Sequence, residues 1–246
     1  MIEYYIISIG AMLLCGLIAG IASAKVHSAY QKYGAMDTKS HMTGYDTAQR
    51  LLRRGGATDI SVGRVRGHLS DHYHPTKKMV NLSDSVYGNA SIASVAVAAH
   101  EIGHVMQKKK GYVPYKIRTM LVPLTNFGSY LALPLVLIGL VIDLLVGFSQ
   151  GSNAGFYIAL VGVALYGMST LFALVTLPVE LDASRRAKQM LLQEGILREE
   201  ELPYADKMLD AAARTYVASL LTSLVYFLRF AMWVFILFGG SDDRRR

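Results

Sequence analysis

The sequence predicts a predominantly helical α+β membrane protein, in which about four transmembrane helices accompany a small unit of helix and sheet. Three observations predict this class. Of the 246 residues, 52% are hydrophobic and only 17% are charged, below the roughly 25% of charged residues in soluble domains. The mean hydropathy of +0.32 indicates that much of the chain needs an apolar solvent other than its own core. The polar regions between the apolar stretches carry helix and strand patterns.

Four apolar stretches are long enough to cross a hydrocarbon core, which takes about 20 helical residues. They are residues 4–24, 120–148, 154–177 and 217–238. The first ends in Ala22-Ser23-Ala24, which resembles a signal-peptidase site, but Glu3 stands where a signal peptide has basic residues. We therefore expect an uncleaved anchor.

Proline and charged residues modify two of these stretches. Pro123 and Pro134 predict a kink in the second stretch, which also holds Asp143. Arg229 in the fourth stretch must snorkel, pair or face protein rather than lipid. The sequence leaves open whether the fourth stretch spans the membrane fully.

The distribution of lysine and arginine predicts the sidedness, because cytoplasmic loops retain positive charge. Residues 25–118 hold 15 of the 25 basic residues and residues 178–215 hold 6, whereas the 149–153 loop holds none. We expect a multi-pass protein of the cell membrane with both larger polar regions in the cytoplasm, although the Arg244 to Arg246 tail then lies outside against the rule. The predicted segments are a 1–24 anchor, a 25–118 cytoplasmic region, two transmembrane helices in 119–177, cytoplasmic helices in 178–215, and a fourth transmembrane helix with the tail in 216–246.

Cysteine content and net charge exclude other classes. The single cysteine, Cys15, excludes a disulfide scaffold and a multi-cysteine zinc knuckle. In a membrane protein, a net charge of +7 indicates orientation and contact with anionic lipid rather than nucleic-acid binding. The predicted partners are thus the lipid bilayer and no nucleic acid, and the oligomeric state stays open.

The first polar region predicts an α/β unit. Thr43 or Asp46 can begin a helix over residues 45–54, and Gly55-Gly56 can end it. Alternation predicts strands over 60–65 and 78–82, with residues 67–75 as a polar, turn-rich crossing between them. A helix over residues 84–109 follows.

The last of these helices contains His100-Glu101-Ile102-Gly103-His104, an HExxH motif. Histidines at positions i and i+4 lie one turn apart on the same helix face, so both imidazoles can reach one ion. Glu101 is displaced around the helix and can act as a general base on a water bound to that ion. This pattern predicts a zinc site, because zinc accepts neutral imidazoles and activates water at neutral pH.

A catalytic zinc site needs a third protein ligand, and the acidic residues after Pro178 are the best placed in sequence. On a helix Glu180 and Asp182 point about 200° apart, so only one can face the metal. We predict Glu180, and we expect Asp182 to cap the helix or to pair with Arg185 or Arg186.

Three runs carry a resemblance to a known family: GHLSDHY at 67–73, AAHEIGHVMQ at 98–107 and PVELDASRRA at 178–187. They resemble the YugP-type neutral zinc metallopeptidases of prokaryotic membranes, and the likeness extends from the first apolar stretch through AAARTYV at 211–217. The resemblance implies a zincin-like helix and sheet unit, with His100, His104 and Glu180 on Zn²⁺ and Glu101 as the base. The family is distantly similar to HtpX-type membrane peptidases, whose E-x-x-A-D motif this chain matches except that Ser184 replaces the Asp.

The segment from Asp71 to His74 has two interpretations. His72 or Tyr73 could donate a hydrogen bond to the oxyanion of the tetrahedral intermediate. Alternatively, the segment is a turn that fixes the crossing between two strands. His27, His41 and His68 have no partner spacing and are predicted to be ordinary.

The sequence therefore predicts a membrane-bound zinc endopeptidase that cleaves a peptide or membrane-protein substrate near the cytoplasmic face. The strand over residues 78–82 would hold the substrate extended by edge pairing. A site-2-type intramembrane protease is the alternative enzyme, but the apolar run before His100 is too short to span, and Lys108 to Lys110 follow directly. A catalytically inactive metal-binding scaffold is the alternative outside enzymes, and the presence of Glu101 weighs against it.

Overall fold

The computed structural model describes residues 2–147 and 153–239. It confirms the predicted class: long helices dominate, and a three-stranded sheet lies in the first polar region. In chain order the elements are α1 (Ile2–Gly34), α2 (Gly44–Arg54), β1 (Ser61–Val65), β2 (His72–His74), β3 (Met79–Ser83), α3 (Asp84–Tyr87), α4 (Ile92–Lys109), α5 (Val113–Ile142), a π-helical turn (Asp143–Gly147), α6 (Ala154–Gln193) and α7 (Leu202–Gly239).

Four helices are long and apolar enough to cross a membrane, as the sequence predicts. They are Glu3–Gly34, Val113–Leu145, Ala154–Gln193 and Leu202–Phe238. Each is longer than its apolar stretch, because helical hydrogen bonding continues past the first charged residues. Pro123 and Pro134 both lie inside α5. Phe148, most of the 149–153 loop and the Arg244 to Arg246 tail fall outside the described residues.

The chain divides into two compact units, which we call the apolar unit and the polar unit. The apolar unit comprises Met1–Ala19, Ile117–Thr176 and Val217–Arg246, and the polar unit comprises Gly20–Lys116 and Leu177–Tyr216. In the apolar unit, Gly139 and Gly155 oppose each other so closely that neither position has room for a Cβ atom. Such small residues let transmembrane helices pack backbone against backbone.

The sheet has the order β1-β3-β2, with β1 parallel and β2 antiparallel to β3. Both predicted strands are confirmed, and the fully buried Val80 and Leu82 join β3 to the core. Strand β2 was not predicted. It lies in the segment expected to be a polar crossing, and its three residues are too few to show the alternation of a strand. The expectation that residues 78–82 form a substrate-binding edge is wrong, since β3 is the middle strand and pairs on both sides.

The predicted helix over residues 84–109 is two helices. Helix α3 ends at Tyr87, and α4 begins at Ile92 after the N-cap Ser91, whose hydroxyl accepts a hydrogen bond from the backbone N–H of Ser94. The break is stabilised by backbone hydrogen bonds to an earlier segment, from Ile92 to the carbonyl of Met36 and from Thr38 to the carbonyl of Ala90. Such non-local pairing leaves no pattern in the local sequence.

Helix α2 begins as its sequence predicts. Thr43 and Asp46 form a reciprocal capping box, and Gly55 follows the last helical residue. The helix buries Leu51 and Leu52 against α4 in the core of the polar unit. This packing fixes one face of α4, and the functional side chains project from another.

Candidate metal centre

Helix α4 presents both histidines of the HExxH motif from one face. The imidazole rings of His100 and His104 are 4.8 Å apart between centroids and nearly perpendicular, at 88°. Ala98, Ala99 and Ile102 are fully buried around them, so core packing prevents α4 from rotating about its axis. The two rings are thus held in place by their neighbours rather than left to sample solvent.

Helix α6 supplies the acidic residue by approaching α4 at Gly103. A Cβ atom on Gly103 would lie 2.6 Å from the carbonyl oxygen of Ala183, so only glycine permits this separation of the helices. The approach places Oε2 of Glu180 3.2 Å from Nε2 of His100 and 3.4 Å from Nε2 of His104. Glu180 is only 3% exposed.

The three side chains have a geometry that fits zinc. Each offers one ligand atom, and these atoms all lie within 4.8 Å of one another. Tetrahedral zinc with bonds of about 2.0–2.2 Å requires ligand atoms about 3.3–3.6 Å apart, close to the two separations between imidazole and carboxylate. The donor set of two imidazoles and one carboxylate is also one that catalytic zinc sites use. His100, His104 and Glu180 could therefore hold a zinc ion.

A hydrogen bond to the far ring nitrogen orients each imidazole. Nδ1 of His100 lies 3.1 Å from Oγ of Ser184, and Nδ1 of His104 lies 2.9 Å from Oε1 of Gln107. The Gln107 amide nitrogen donates to the carbonyl of Val179 and to Asp182, so its oxygen must be the atom that faces His104. Nδ1 of His104 is then the donor, which leaves the lone pair of Nε2 directed at Glu180.

Asp182 lies behind this arrangement rather than in it. Its carboxylate pairs with Arg185 and accepts a hydrogen bond of 2.6 Å from Nε of Arg186, which confirms the expectation of an arginine partner. The same carboxylate accepts from Gln107 at 3.0 Å. Asp182 thus acts on His104 through the Gln107 amide, as carboxylates behind metal-binding histidines commonly do.

Sequence reasoning missed Gln107. The residue is fully buried and lies three positions after His104, a spacing that places both side chains on one helix face. The three-residue spacing from His104 was therefore the sequence signal that could have identified Gln107. By contrast, the partner of the other imidazole is neutral: the Ser184 hydroxyl lies 3.1 Å from Nδ1 of His100.

The electrostatics of the cluster favour a cation at its centre. Burial by itself would lower the pKa of His104, but the hydrogen bond and the negative charge of Glu180 outweigh that effect and raise its pKa. The buried carboxylate therefore stabilises positive charge at the point where both Nε2 atoms converge.

Glu101 occupies a different environment from Glu180, although it is also buried, at 8% exposed. Within residues 2–147 and 153–239 its carboxylate accepts no hydrogen bond and forms no ion pair. It lines, together with His100, a cavity of about 320 Å³ in the polar unit. Its oxygens are therefore available to a water or a substrate in that cavity.

The structure does not bring the predicted oxyanion donors to this cavity. The exposed His72 ring lies between the carbonyl of Ser70, 2.8 Å from Nδ1, and the side chain of Asn81, 3.1 Å from Nε2. The ring of Tyr73 lies beside the ammonium of Lys108, which is 5.9 Å from its centroid. Among the described residues that line the cavity, neither side chain is present, so geometry gives their predicted role no support.

Asp71 has the structural role that the alternative interpretation assigned to this segment. Its carboxylate accepts hydrogen bonds from the backbone N–H and the hydroxyl of Ser83, at 2.7 and 2.9 Å, and so ties the crossing to β3. Burial raises the pKa of Asp71. The same residue lines the cavity.

The cavity is also lined by His27 on α1, which was predicted to be ordinary, and by Tyr216 on α7. His27 carries no spacing signal relative to residues 100–104, and only the fold brings it there. Tyr216 lies in the AAARTYV run that contributes to the family resemblance, which was a signal for its importance but not for its place.

Comparisons with known proteins point to a family of zinc metallopeptidases. The family model described as "Putative neutral zinc metallopeptidase" matches residues 4–235. The chain is 40% identical over 222 residues to the "Putative membrane protease YugP" of Bacillus subtilis (strain 168), covering 90% of this chain and 92% of that relative. No solved structure matches the chain. The resemblance inferred from the three sequence motifs is confirmed.

Replacing Gly103 with alanine should separate α4 from α6. The added methyl group meets backbone rather than a flexible side chain, so we expect Gly103→Ala to destabilise the fold by about 1–3 kcal/mol and to lose stoichiometric zinc. Gly88→Ala is the matched control, because a Cβ atom there meets nothing within 4 Å. Chemical denaturation and metal analysis of both variants measure the two effects. Full zinc content in Gly103→Ala would contradict the close approach.

Replacing Gln107 with methionine tests the orientation of His104. The variant keeps the side-chain volume but removes the acceptor for Nδ1, so we expect zinc affinity to fall about 10–100-fold. Competition with a chromophoric chelator measures the change. An unaltered affinity would show that the Gln107 amide does not position the imidazole.

Proposed function

The chain belongs to this family of neutral zinc metallopeptidases, and on that premise we propose that it is a membrane-bound, zinc-dependent endopeptidase acting near the cytoplasmic face. One observation carries the proposal: two imidazoles and the Glu180 carboxylate converge on one point, and the unengaged carboxylate of Glu101 lines the cavity beside them. The four helices that could cross a membrane support the location.

The chemistry follows from the two carboxylates. A zinc ion on His100, His104 and Glu180 would polarise the scissile carbonyl and lower the pKa of a water. No side chain of the described residues donates a hydrogen bond to the Glu101 carboxylate. Glu101 therefore accepts a proton from the attacking water. The resulting carboxyl group passes that proton to the leaving amine.

An edge strand would hold the peptide extended in the active site. Because β3 is internal, the free edges of the sheet belong to β1 and β2. Asp71 immediately precedes β2 and lines the same cavity as Glu101. We therefore assign the substrate to the β2 edge rather than to the strand that the sequence suggested.

Oxyanion stabilisation is assigned to the cavity wall. Tyr216 and His27 can both donate a hydrogen bond, and both line the cavity with Glu101. Zincins commonly give this role to a tyrosine or histidine, and Tyr216 needs no particular protonation state to donate. Tyr216 is therefore the preferred donor to the oxyanion.

The two alternative functions, a site-2-type intramembrane protease and an inactive metal-binding scaffold, are less well supported. None of the four candidate spans within the described residues contains the HExxH motif, which disfavours an intramembrane protease of the site-2 type. An inactive scaffold would have no use for an unengaged buried carboxylate, which is costly to desolvate. The cytoplasmic location of the site rests on the basic residues of regions 25–118 and 178–215.

The proposed function is tested by two variants, one expected to lose activity while keeping zinc and one expected to lose both. We expect Glu101→Gln to reduce cleavage of a quenched fluorescent casein by about 10²–10⁴-fold while one zinc per chain remains. Glu180→Ala should lose the metal as well, because it removes a ligand rather than the base. Unchanged cleavage by Glu101→Gln would contradict the mechanism, and stoichiometric zinc in Glu180→Ala would contradict the third ligand.

A comparison of Tyr216→Phe with His72→Ala tests the oxyanion donor. We expect Tyr216→Phe to lower kcat by about 10²-fold or more with little change in KM and with zinc retained, because its hydroxyl acts on the transition state. His72→Ala removes a ring whose nitrogens lie beside the Ser70 carbonyl and the Asn81 side chain, so it should leave kcat close to that of the unmodified protein. The reverse ranking would restore the sequence-based assignment.

A further inference from the structure

A second cavity, of about 500 Å³, lies within the apolar unit. All four candidate transmembrane helices contribute to it, with Tyr4 and Tyr5 from α1, Ala132 from α5, Tyr166 from α6, and Arg229 with Trp233 from α7. Its volume is in the range of sites that bind small molecules. No residue of the candidate metal centre belongs to it.

The cavity has an aromatic wall. The rings of Tyr166 and Phe230 are 4.9 Å apart between centroids, and those of Phe230 and Trp233 are stacked at 6.1 Å. A continuous surface of this kind accepts hydrocarbon by burial of apolar area. The wall alone would suit any acyl chain and would select no headgroup.

Arg229 adds a charge that this apolar setting does not balance. It is the only charged residue between positions 217 and 238. Within residues 2–147 and 153–239, no carboxylate lies within ion-pair distance of its guanidinium, and its buried Nε atom has no hydrogen-bond partner. The hydroxyl of Tyr4 does not satisfy the charge, since it donates to the backbone carbonyl of Arg229 at 2.7 Å.

An unbalanced cation among transmembrane helices is costly unless an anion or water solvates it. A guanidinium binds phosphate through two parallel hydrogen bonds. A membrane surrounds these helices with phosphates that carry acyl chains, and the cavity offers a cation and an apolar wall side by side. A free phosphate ion would gain nothing from the wall.

We propose that this cavity binds one anionic phospholipid, with its phosphate on the guanidinium of Arg229 and an acyl chain along the aromatic wall. The proposal is independent of the peptidase assignment, because it uses no residue of the metal centre. It goes beyond the general attraction of basic surfaces to anionic membranes, since it assigns one lipid to one residue within the cavity.

Trp233 makes the test direct, because it is the only tryptophan in the chain and lines the cavity. The full-length protein is reconstituted in phosphatidylcholine vesicles that contain a fixed mole fraction of either brominated phosphatidylglycerol or phosphatidylcholine brominated at the same chain position. Quenching of Trp233 fluorescence then reports which lipid occupies the cavity. We expect an apparent preference of about fivefold for phosphatidylglycerol, the size expected for one basic residue.

Variants of Arg229 separate this site from surface charge. Arg229→Met keeps the apolar stem and should reduce the preference to parity, whereas Arg229→Lys keeps the charge without the bidentate geometry and should retain part of it. Lys116→Gln is the matched control for loss of one positive charge and should keep the full preference. Monodispersity and zinc content verify the fold of each variant.

Three results would overturn the proposal. They are equal quenching by the two lipids in the unmodified protein, a preference that survives in Arg229→Met, and a preference that Lys116→Gln removes. Stronger quenching by a brominated fatty acid than by brominated phosphatidylglycerol would overturn the assignment to a phospholipid. If Arg229→Met does not fold, a preference in Arg229→Lys equal to that of the unmodified protein would exclude bidentate recognition of phosphate.

Discussion

The contact between α4 and α6 at Gly103 is the constraint on which the candidate centre depends. The histidines and Glu180 are 76 or more positions apart in sequence, and they meet because one backbone can approach the carbonyl of Ala183 without a side chain between them. A separation increased by the width of a methyl group would take the carboxylate out of reach of at least one imidazole. Gly103 occupies one of the two variable positions of the HExxH motif, yet the site requires glycine there as strictly as it requires the histidines.

Hydrogen bonds around the centre orient the imidazole rings, which the contact between α4 and α6 alone does not do. Proximity brings ligand atoms together, but the direction of each lone pair depends on what the other ring nitrogen contacts. A long carboxylate–amide–imidazole chain through Gln107 fixes one ring, and the Ser184 hydroxyl fixes the other. One histidine is thus oriented by a group linked to a charge and the other by a neutral group.

The sequence predicted the parts of this molecule that depend on local patterns. Composition or spacing along one element predicted the four apolar stretches, the start of α2 at Thr43 or Asp46, two strands, the HExxH motif on a helix, and a cap or an arginine partner for Asp182. The parts that it missed depend on contacts between distant segments. Strand β2 exists because β3 offers it a partner, the break before Ile92 exists because Met36 and Thr38 pair there, and Tyr216 joins the cavity only after α7 has packed.

Glu101 and Glu180 show how one fold gives the same side chain opposite roles. Both are almost fully buried, which makes a bare negative charge unfavourable at either place. Two imidazoles surround Glu180, so its charge is compensated and its oxygens are committed. Glu101 accepts no hydrogen bond and forms no ion pair among the described residues, and its oxygens line a cavity. Protonation of Glu180 would disrupt its contacts with the two imidazoles, whereas the oxygens of Glu101 have no such contacts to lose. The division between ligand and base therefore follows from the surroundings of the two residues.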